Sequence, residues 1–206
     1  MKKMVAVALF ALSAASASAN AEIAPDVLAR SVTDEVMTIV RADKELQAGS
    51  AQRLAQLVEA KVLPHFNFTH MTQLALGRNW RQASPEQQKL LIDEFRALLV
   101  RTYTTALMQY REQTVDYKPL RSAPTDTEVV VKSLIKQPAG QPVTIDYNME
   151  KLGDTWKVYD VRIEGISLVE NYRSTFRSEI QKNGMDGLIK ALADKNKALG
   201  AQTANR

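Results

Sequence analysis

The hydrophobic pattern of this chain changes its period near residue 114 and changes back near residue 168, which limits the folds it can adopt. Before the first change, apolar residues recur at the three- and four-residue spacing of amphipathic helices. Between the two changes, apolar and polar residues alternate as in half-buried strands. We predict four strands there, over residues 115–120, 128–135, 143–150 and 155–163. Because their connections are short, neighbouring strands should pair antiparallel.

The order of helices, then strands, then helices indicates an α+β fold rather than an alternating α/β fold. We expect N-terminal helices and C-terminal helices to pack on a curved four-stranded antiparallel sheet. Helices laid over the concave face of such a sheet enclose an apolar interior. One domain is the natural expectation for a chain of 206 residues.

Start and stop signals divide the first half into helices. Pro25 suits a first helical position, and Ser50 can cap a second helix that Pro64 ends. Gly77 fits the C-terminus of a third helix. Ser84-Pro85-Glu86-Gln87 has the residues of a capping box and opens a long helix.

The long helix is predicted to run to about Gln113, a length of roughly 40 Å. After the strands, we predict a helix over residues 169–182 that breaks at Gly184 and Gly187. A final helix through Leu199 and a loose polar tail after about residue 200 complete the chain.

The first 21 residues have the pattern of a secretory signal peptide. Lys2 and Lys3 precede an apolar run over residues 4–15, and small residues then permit cleavage after Ala19 or Ala21. The apolar run is shorter than the roughly 20 residues that a membrane span needs. We therefore expect residues 22–206 to form a soluble, exported domain.

Composition narrows the classes of function. The chain contains no cysteine, and about 185 residues would remain after cleavage, enough to bury roughly 70% of the unfolded surface without disulfides. Loss of Lys2 and Lys3 would leave 25 basic residues against 23 acidic ones. This near balance argues against a nucleic-acid partner, which favours a strongly basic face.

Candidate catalytic and metal-binding residues are few. His65 and His70 would lie about 140° apart on a helix, so they do not form a natural pair of metal ligands. Ser167 lacks the second glycine of a nucleophile elbow and is better placed to cap the helix that follows it. We therefore expect no metal site and no catalytic serine.

A lone acid among aromatic residues is the better enzymatic candidate. Asp146 and Asp160 lie on predicted strands near Tyr147 and Tyr159, and burial can raise the pKa of such a carboxyl until it transfers protons. Strand alternation, however, places Asp146 on the face opposite Tyr147, towards water. We expect no catalytic residue here.

Residues 156–173 form the most informative block of the chain. The pattern of this block predicts a strand, then a break at Gly165, and then a helix. The helix begins with apolar residues and bears aromatic and arginine residues. Arg162, Arg173 and Arg177 surround the block. They can bind a phosphate at a pocket mouth, or they can form a solvated face next to Glu170 and Glu179.

The chain resembles the MlaC family, also called the toluene-tolerance or Ttg2-type family, along nearly all of the predicted mature length. The resemblance rests on ordered and correctly spaced motifs. They include Leu76-Gly77-Arg78-Asn79-Trp80, Trp156-Lys157-Val158-Tyr159-Asp160, Glu164-Gly165-Ile166-Ser167, Asn171-Tyr172-Arg173, and Gly184-Met185-Asp186-Gly187-Leu188-Ile189.

This resemblance implies a periplasmic phospholipid carrier that helps to maintain outer-membrane lipid asymmetry, with lipid as cargo and no cofactor. It implies partners on both sides: an outer-membrane lipoprotein–porin complex and an inner-membrane ABC transporter bearing an MCE-domain protein. It also implies acyl chains inserted between helices and sheet, with the head group near solvent. Residues 22–206 would then be a single lipid-binding domain.

We expect the apolar pocket to be lined by residues of the long helix, the strands and the start of the C-terminal helix. These are Phe95, Leu98, Leu99, Tyr103, Val131, Ile145, Tyr147, Val161, Ile163, Ile166, Leu168, Val169 and Tyr172. Arg162, Arg173 and Arg177 would form the head-group rim. We expect the side chain of Ile166, just after the glycine break, to point into the pocket.

Two other classes of function stay open at the level of the sequence. One is an envelope enzyme of the cone-shaped isomerase or hydratase type, which needs an acid facing inward beside a tyrosine. The other is a periplasmic chaperone that binds apolar segments. Lipid bound to the purified protein would separate the carrier from both.

Overall fold

A computed structural model describes residues 23–107, 113–123, 125–137 and 140–204. In these residues, helices flank a single antiparallel sheet. The helices are α1 Pro25–Ala42, α2 Lys44–Gln47, α3 Ala51–Lys61, α4 Phe68–Leu76, α5 Pro85–Leu107 and α6 Leu168–Ala204. The strands are β1 Thr114–Tyr117, β2 Glu128–Lys136, β3 Val143–Leu152, β4 Thr155–Ile163 and β5 Ile166–Ser167. Two 3₁₀ turns, Leu63–His65 and Gly77–Gln82, flank α4.

The sheet has the order β1-β2-β3-β4-β5, and every neighbouring pair is antiparallel. The predicted α+β class and the antiparallel meander are therefore confirmed. The sheet has five strands where four were predicted, because Gly165 turns the chain back and pairs Ile166 with Ile163. A register shift between Asn148 and Met149 marks a bulge, which bends and twists a sheet.

The predicted helix boundaries that depend on local chemistry are confirmed. Ser84 and Gln87 exchange hydrogen bonds, because the Gln87 amide N–H donates to the Ser84 hydroxyl at 3.2 Å and the Ser84 N–H donates to the Gln87 side chain at 3.0 Å. Ser50 accepts from the Arg53 N–H at 3.3 Å. Gly77 ends α4 with a φ of 56°, a value that favours glycine.

Other boundaries differ from the prediction. Gly184 interrupts α6 with a φ of 72°, as predicted, but the helix continues through Gly187. It also passes Gly200 and reaches Ala204, so the predicted loose tail is helical there. Gln113 lies outside any helix. The predicted signal peptide and the last turn predicted for the long helix fall largely outside the described residues.

The buried apolar residues form three clusters. The first joins α4, α5 and α6 and includes Phe95, Phe176 and Leu188. The second covers one face of the sheet and includes Val131 and Met149. The third packs α3 against α1, α2 and α5. The first two clusters lie on either side of the candidate functional site.

Candidate functional site

One face of the sheet is almost entirely apolar. Strand alternation and the register put Val131, Tyr147 and Val161 side by side across β2, β3 and β4. The next row on the same face is Ser133, Ile145 and Ile163. The buried apolar residues of this face are Val129, Val131, Met149, Trp156, Val158 and Val161. We call this surface the sheet face.

The helical layer consists of α4, α5 and α6 and has its own solid core. The Phe95 ring is edge-on to the rings of Tyr172 and Phe176, with centroids 5.1 Å apart in both pairs. Phe95 has no exposed surface, and Leu98 is 1% exposed. Tyr103 and Tyr172 lie at the margin of this core and are only partly buried.

The sheet face and the helical layer form separate cores that meet along the β4 edge. Phe66 packs against both cores and pairs with Val158 of β4. Leu168 packs against the sheet face, while its neighbour Val169 is buried in the helical layer. The sheet face and the helical layer therefore contact each other along the edge of β4. We call the region between these layers the slot.

Helix α1 covers the sheet face near β1 and β2. Leu28 and Ala29 in its first half pack against the sheet face, and Val36, Ile39 and Val40 in its second half pack against the α3 cluster. Among α1 residues, Pro25 alone is fully buried. The apolar stripe of α1 is therefore half-buried along most of its length.

Hydroxyl groups attach α1 to the sheet and pair with each other across the strands. The Tyr117 hydroxyl donates to the Ala29 carbonyl at 3.0 Å and lies 2.6 Å from the Thr33 hydroxyl. Ser133 donates to the Ile145 carbonyl at 2.9 Å and interacts with the Tyr147 hydroxyl. Burial raises the pKa of Tyr117 and of Tyr147. Both phenols therefore stay neutral at ordinary pH, so the slot carries no charge from them.

A second hydroxyl pair lies at the margin of the helical layer. Tyr103 and Tyr172 hydrogen bond to each other, and Tyr172 also bonds to Thr102. Burial is the main cause that raises the pKa of both tyrosines. Aromatic rings with satisfied hydroxyls present mainly apolar surface to the slot.

The end of the sheet beside β5 carries a row of isoleucines. Ile145 pairs with Ile163, and Ile163 pairs with Ile166, so all three side chains share the sheet face. Ile145 and Ile163 are partly buried, whereas Ile166 is 65% exposed. We call these three residues the isoleucine row. It leads from the sheet face to the protein surface.

The structure divides the predicted pocket residues into two groups. Some are packed inside one layer and have almost no free surface. They are Phe95, Leu98, Leu99, Val131, Val161 and Val169. The others keep free apolar surface at the margin of a layer. They are Tyr103, Ile145, Tyr147, Ile163, Ile166, Leu168 and Tyr172.

Ile166 differs from its predicted inward position. Its side chain shares the face of Ile163 but extends beyond the covered part of the sheet, because β5 is an edge strand of only two residues. The residue is therefore exposed at the edge of the sheet rather than enclosed.

The three predicted rim arginines do not form one cluster of free cations. Arg173 donates from Nε and Nη2 to the Leu74 carbonyl at 3.1 and 2.9 Å, and so caps the C-terminus of α4. Arg162 lies on the opposite side of the sheet from the isoleucine row, 3.8 Å from Asp160 and 3.7 Å from Glu170. Arg177 is exposed on α6.

Asp160 is engaged in structural contacts, and Asp146 lies opposite Lys132 and Arg162 on the face away from Tyr147. Asp160 is 4% exposed, and its Oδ1 accepts from the Val169 N–H at 3.3 Å at the start of α6. It faces away from Tyr147, whose partner across the sheet is Val161. The Ser167 hydroxyl accepts from the Glu170 N–H at 3.0 Å, so Ser167 caps α6 as predicted. Neither Asp146 nor Asp160 therefore lies beside Tyr147 on the sheet face.

The histidines are also held apart. His70 lies 2.9 Å from Glu150, which also accepts from Asn67 at 2.7 Å, and the His70 ring stacks on Tyr159 with centroids 4.6 Å apart. His65 lies in the 3₁₀ turn before α4. Over the described ranges, no group of three His, Asp or Glu residues is arranged to hold a metal ion.

A groove of about 670 Å³ opens at the β1–β2 connection, away from the isoleucine row. Arg121, Asp126, Glu128 and Lys132 contribute charges of both signs to its lining. Such a lining does not suit acyl chains. In the same described ranges, no helix is both long and apolar enough to cross a membrane.

Sequence reasoning missed the residues that fix the layers to each other. The Asp160 contact to α6, the Arg173 cap on α4 and the Tyr117 contact to α1 all join segments far apart in the chain. Neither the period of the hydrophobic pattern nor the spacing of the sequence motifs indicates such contacts. The pair Glu164-Gly165 did carry a usable signal, since two residues ending in glycine between Ile163 and Ile166 favour a tight turn.

Comparison with known proteins identifies the family of this architecture. A sequence model of the MlaC protein family matches residues 30–194. The chain is similar to the intermembrane phospholipid transport system binding protein MlaC of Haemophilus influenzae, with 25% identity over 194 residues that cover 92% of this chain and 91% of the relative. It is also similar to toluene tolerance protein ttg2D of Pseudomonas putida, with 29% identity over 106 residues that cover 52% and 49% of the two chains.

A solved structure shares the fold. The phospholipid-binding protein from Ralstonia solanacearum, solved in complex with a phospholipid, matches with a TM-score of 0.79 and 42% identity. The match covers 85% of this chain and 98% of the other.

Proposed function

Because this chain belongs to the MlaC family, we propose that it is a phospholipid carrier that holds acyl chains in the slot between its helical layer and its sheet face. The main support for this proposal is that the sheet face and the helical layer form two separate apolar cores, which meet along β4. A protein built around a single core would bury both surfaces against each other. The similar protein from Ralstonia solanacearum was solved with a phospholipid bound.

The hydrophobic effect explains why such a carrier is needed. Each CH₂ group exposed to water costs about 0.8 kcal/mol, so two acyl chains of common length would cost on the order of 20 kcal/mol. Half of a bilayer hydrocarbon core is about 15 Å deep. The 23 residues of α5 extend about 34 Å at 1.5 Å per residue. A slot beside α5 is long enough for such chains.

The residues with free apolar surface are the best candidates for contact with acyl chains. On the sheet side these are Ile145, Tyr147, Ile163 and Leu168, and on the helix side Tyr103 and Tyr172. Ile166 would contact lipid at the opening. Phe95, Leu98, Leu99, Val131, Val161 and Val169 would support these walls from behind.

The head group would lie in solvent, since the three predicted rim arginines do not form one cluster that could bind it. Arg177 is the predicted rim arginine with an exposed side chain. Arg173 and Arg162 are already hydrogen bonded or close to carboxylates. We therefore expect binding energy to come from acyl burial and little of it from phosphate.

We propose further that the carrier works in the periplasm between two membranes. The relative from Haemophilus influenzae is named for an intermembrane phospholipid transport system, and the N-terminal residues have the pattern of a secretory signal peptide. The partners implied by the family resemblance are the outer-membrane lipoprotein–porin complex and the inner-membrane ABC transporter with its MCE-domain protein. Carriage requires no catalytic residue.

Transfer of phospholipid between vesicles tests this proposal. The purified protein should accelerate movement of a fluorescent phospholipid from donor to acceptor vesicles of neutral composition. Ile145→Trp should abolish most of this acceleration, because the indole fills the slot from the sheet face. The matched control is Val130→Trp on the other face of β2, where Val130 is 44% exposed. That variant should transfer lipid like the wild type.

Two results would contradict the proposal. One is a wild-type protein that does not accelerate transfer at any concentration. The other is a folded Ile145→Trp protein that transfers as fast as the Val130→Trp control, which would place the lipid elsewhere. Thermal unfolding of each variant establishes that it is folded.

A further inference from the structure

The turn between β4 and β5 has an unusual backbone. Its two central residues, Glu164 and Gly165, have φ values of 50° and 79°. Primed two-residue hairpin turns need positive φ at such positions, and Asn-Gly is the usual choice. Among the described residues, Glu164 is the one non-glycine with positive φ. A glutamate in this conformation is strained, and strain persists only where surrounding contacts hold it.

Contacts to a single residue hold Glu164 in place. Its N–H donates to the Thr144 carbonyl at 3.0 Å. Its carboxylate accepts from the Thr144 hydroxyl at 2.9 Å and from the Thr144 backbone N–H. These hydrogen bonds lower the pKa of Glu164, which keeps the carboxylate charged at ordinary pH. A charged acceptor makes stronger hydrogen bonds than a neutral one.

The turn between β4 and β5, held by the contact between Glu164 and Thr144, determines the position of Ile166. It sets the register in which Ile166 faces Ile163 and Ser167 faces Arg162. On β3, which lies on the other side of β4 from β5, Thr144 precedes Ile145, which pairs with Ile163. The contact between Glu164 and Thr144 therefore fixes both ends of the isoleucine row with respect to each other. A different turn conformation would move Ile166 off the sheet face.

We propose that Glu164 is a positioning residue for lipid retention: its contact with Thr144 holds Ile166 at the opening of the slot, where Ile166 covers the outer part of the acyl chains. The inference rests on the proposed carrier function. Release of Ile166 would uncover those methylene groups and speed exchange of lipid with vesicles. Glu164 itself need not touch the lipid.

A double-mutant cycle on the rate of phospholipid exchange tests this inference. Glu164→Ala should raise the exchange rate about threefold to tenfold, the factor expected when one apolar contact weakens. Ile166→Ala should raise it by a similar factor. The double variant should exchange no faster than either single one, because Glu164 acts through Ile166. Glu164→Gln keeps a side-chain acceptor for Thr144 and should restore most of the slow exchange.

Unfolding of the lipid-free proteins separates this role from a merely structural one. Both residues are exposed, so the unfolding midpoints of the variants should stay close to that of the wild type. The inference is overturned if Glu164→Ala exchanges lipid at the wild-type rate. It is also overturned if the effects of Glu164→Ala and Ile166→Ala multiply in the double variant. Failure of the wild type to exchange any lipid would instead overturn the carrier function.

Discussion

At the scale of single residues, Asp160 joins the sheet to the C-terminal helix. It is 4% exposed, and its carboxylate accepts from the Val169 N–H at the start of α6. Removal of this acceptor leaves a buried backbone donor without a partner. We expect Asp160→Ala to lower the free energy of unfolding by about 1–3 kcal/mol. Urea unfolding measures this change, with Asp146→Ala on β3 as the control.

The control should change the free energy of unfolding by less than about 0.5 kcal/mol, since no hydrogen bond of α6 depends on Asp146. Equal losses in the two variants would contradict the capping role of Asp160. The sequence predicted Ser167 as a cap from its place before the helix. It did not predict Asp160, because that contact depends on how β4 and α6 pack.

Tyr147 gives a prediction for alkaline pH. Burial raises its pKa in the folded protein, while an unfolded tyrosine loses its proton near pH 10. The folded state therefore binds more protons above this pH, so the free energy of unfolding should fall as the pH rises. Urea unfolding between about pH 9 and pH 11 should show a shallower decline for Tyr147→Phe than for the wild type.

The other tyrosines with raised pKa values, Tyr103, Tyr117 and Tyr172, should keep some decline in the Tyr147→Phe protein. Identical declines in the variant and the wild type would mean that Tyr147 is not buried in solution. The sequence placed Tyr147 on the apolar face by alternation alone. Its hydroxyl partners could not be predicted, since Ser133 and Tyr117 lie on other strands.

At the scale of elements, α1 is held to the sheet by few contacts. Pro25 is its one fully buried residue among those described, and the Tyr117 hydroxyl donates to the Ala29 carbonyl. Loss of one hydrogen bond of this kind costs about 1 kcal/mol. Tyr117→Phe should therefore speed hydrogen exchange of the α1 amides roughly fivefold, if α1 opens locally. Exchange in α5 should not change.

Mass spectrometry of deuterium uptake measures this effect, and Tyr159→Phe is the matched control. Tyr159 stacks on His70 and does not contact α1 through its hydroxyl. Unchanged uptake in α1 of Tyr117→Phe, or equal acceleration in α1 and α5, would contradict a local attachment. Such an attachment would let α1 open from the sheet face while α5 stays in place.

The sequence predicted the features that depend on interactions within one helical turn or on strand alternation. It did not predict the features that depend on packing between distant segments. The capping box at Ser84 and the glycine at the end of α4 act within one turn, and the sequence predicted both. The strands followed from alternation. β5 was missed because two residues carry no periodic signal, and α6 continued through Gly187 because its packing on α5 outweighs the modest cost of a helical glycine.

At the scale of the whole molecule, the two apolar layers meet along β4, and α1 covers part of the sheet face. The sequence identified both layers from their periods, but it could not say that they form separate cores. Periodicity predicts which face of an element is apolar and leaves open whether protein or ligand covers it. For this reason Phe95 and Leu98 were grouped with the slot although they are packed inside the helical layer.

We expect phospholipid to occupy the slot when the protein is isolated from the periplasm. Native mass spectrometry of a gently prepared periplasmic extract tests it most directly. We expect a major species heavier than the polypeptide by the mass of a diacyl phospholipid, and we expect this species to be absent after extraction with organic solvent. A spectrum that contains only the bare polypeptide before extraction would contradict it.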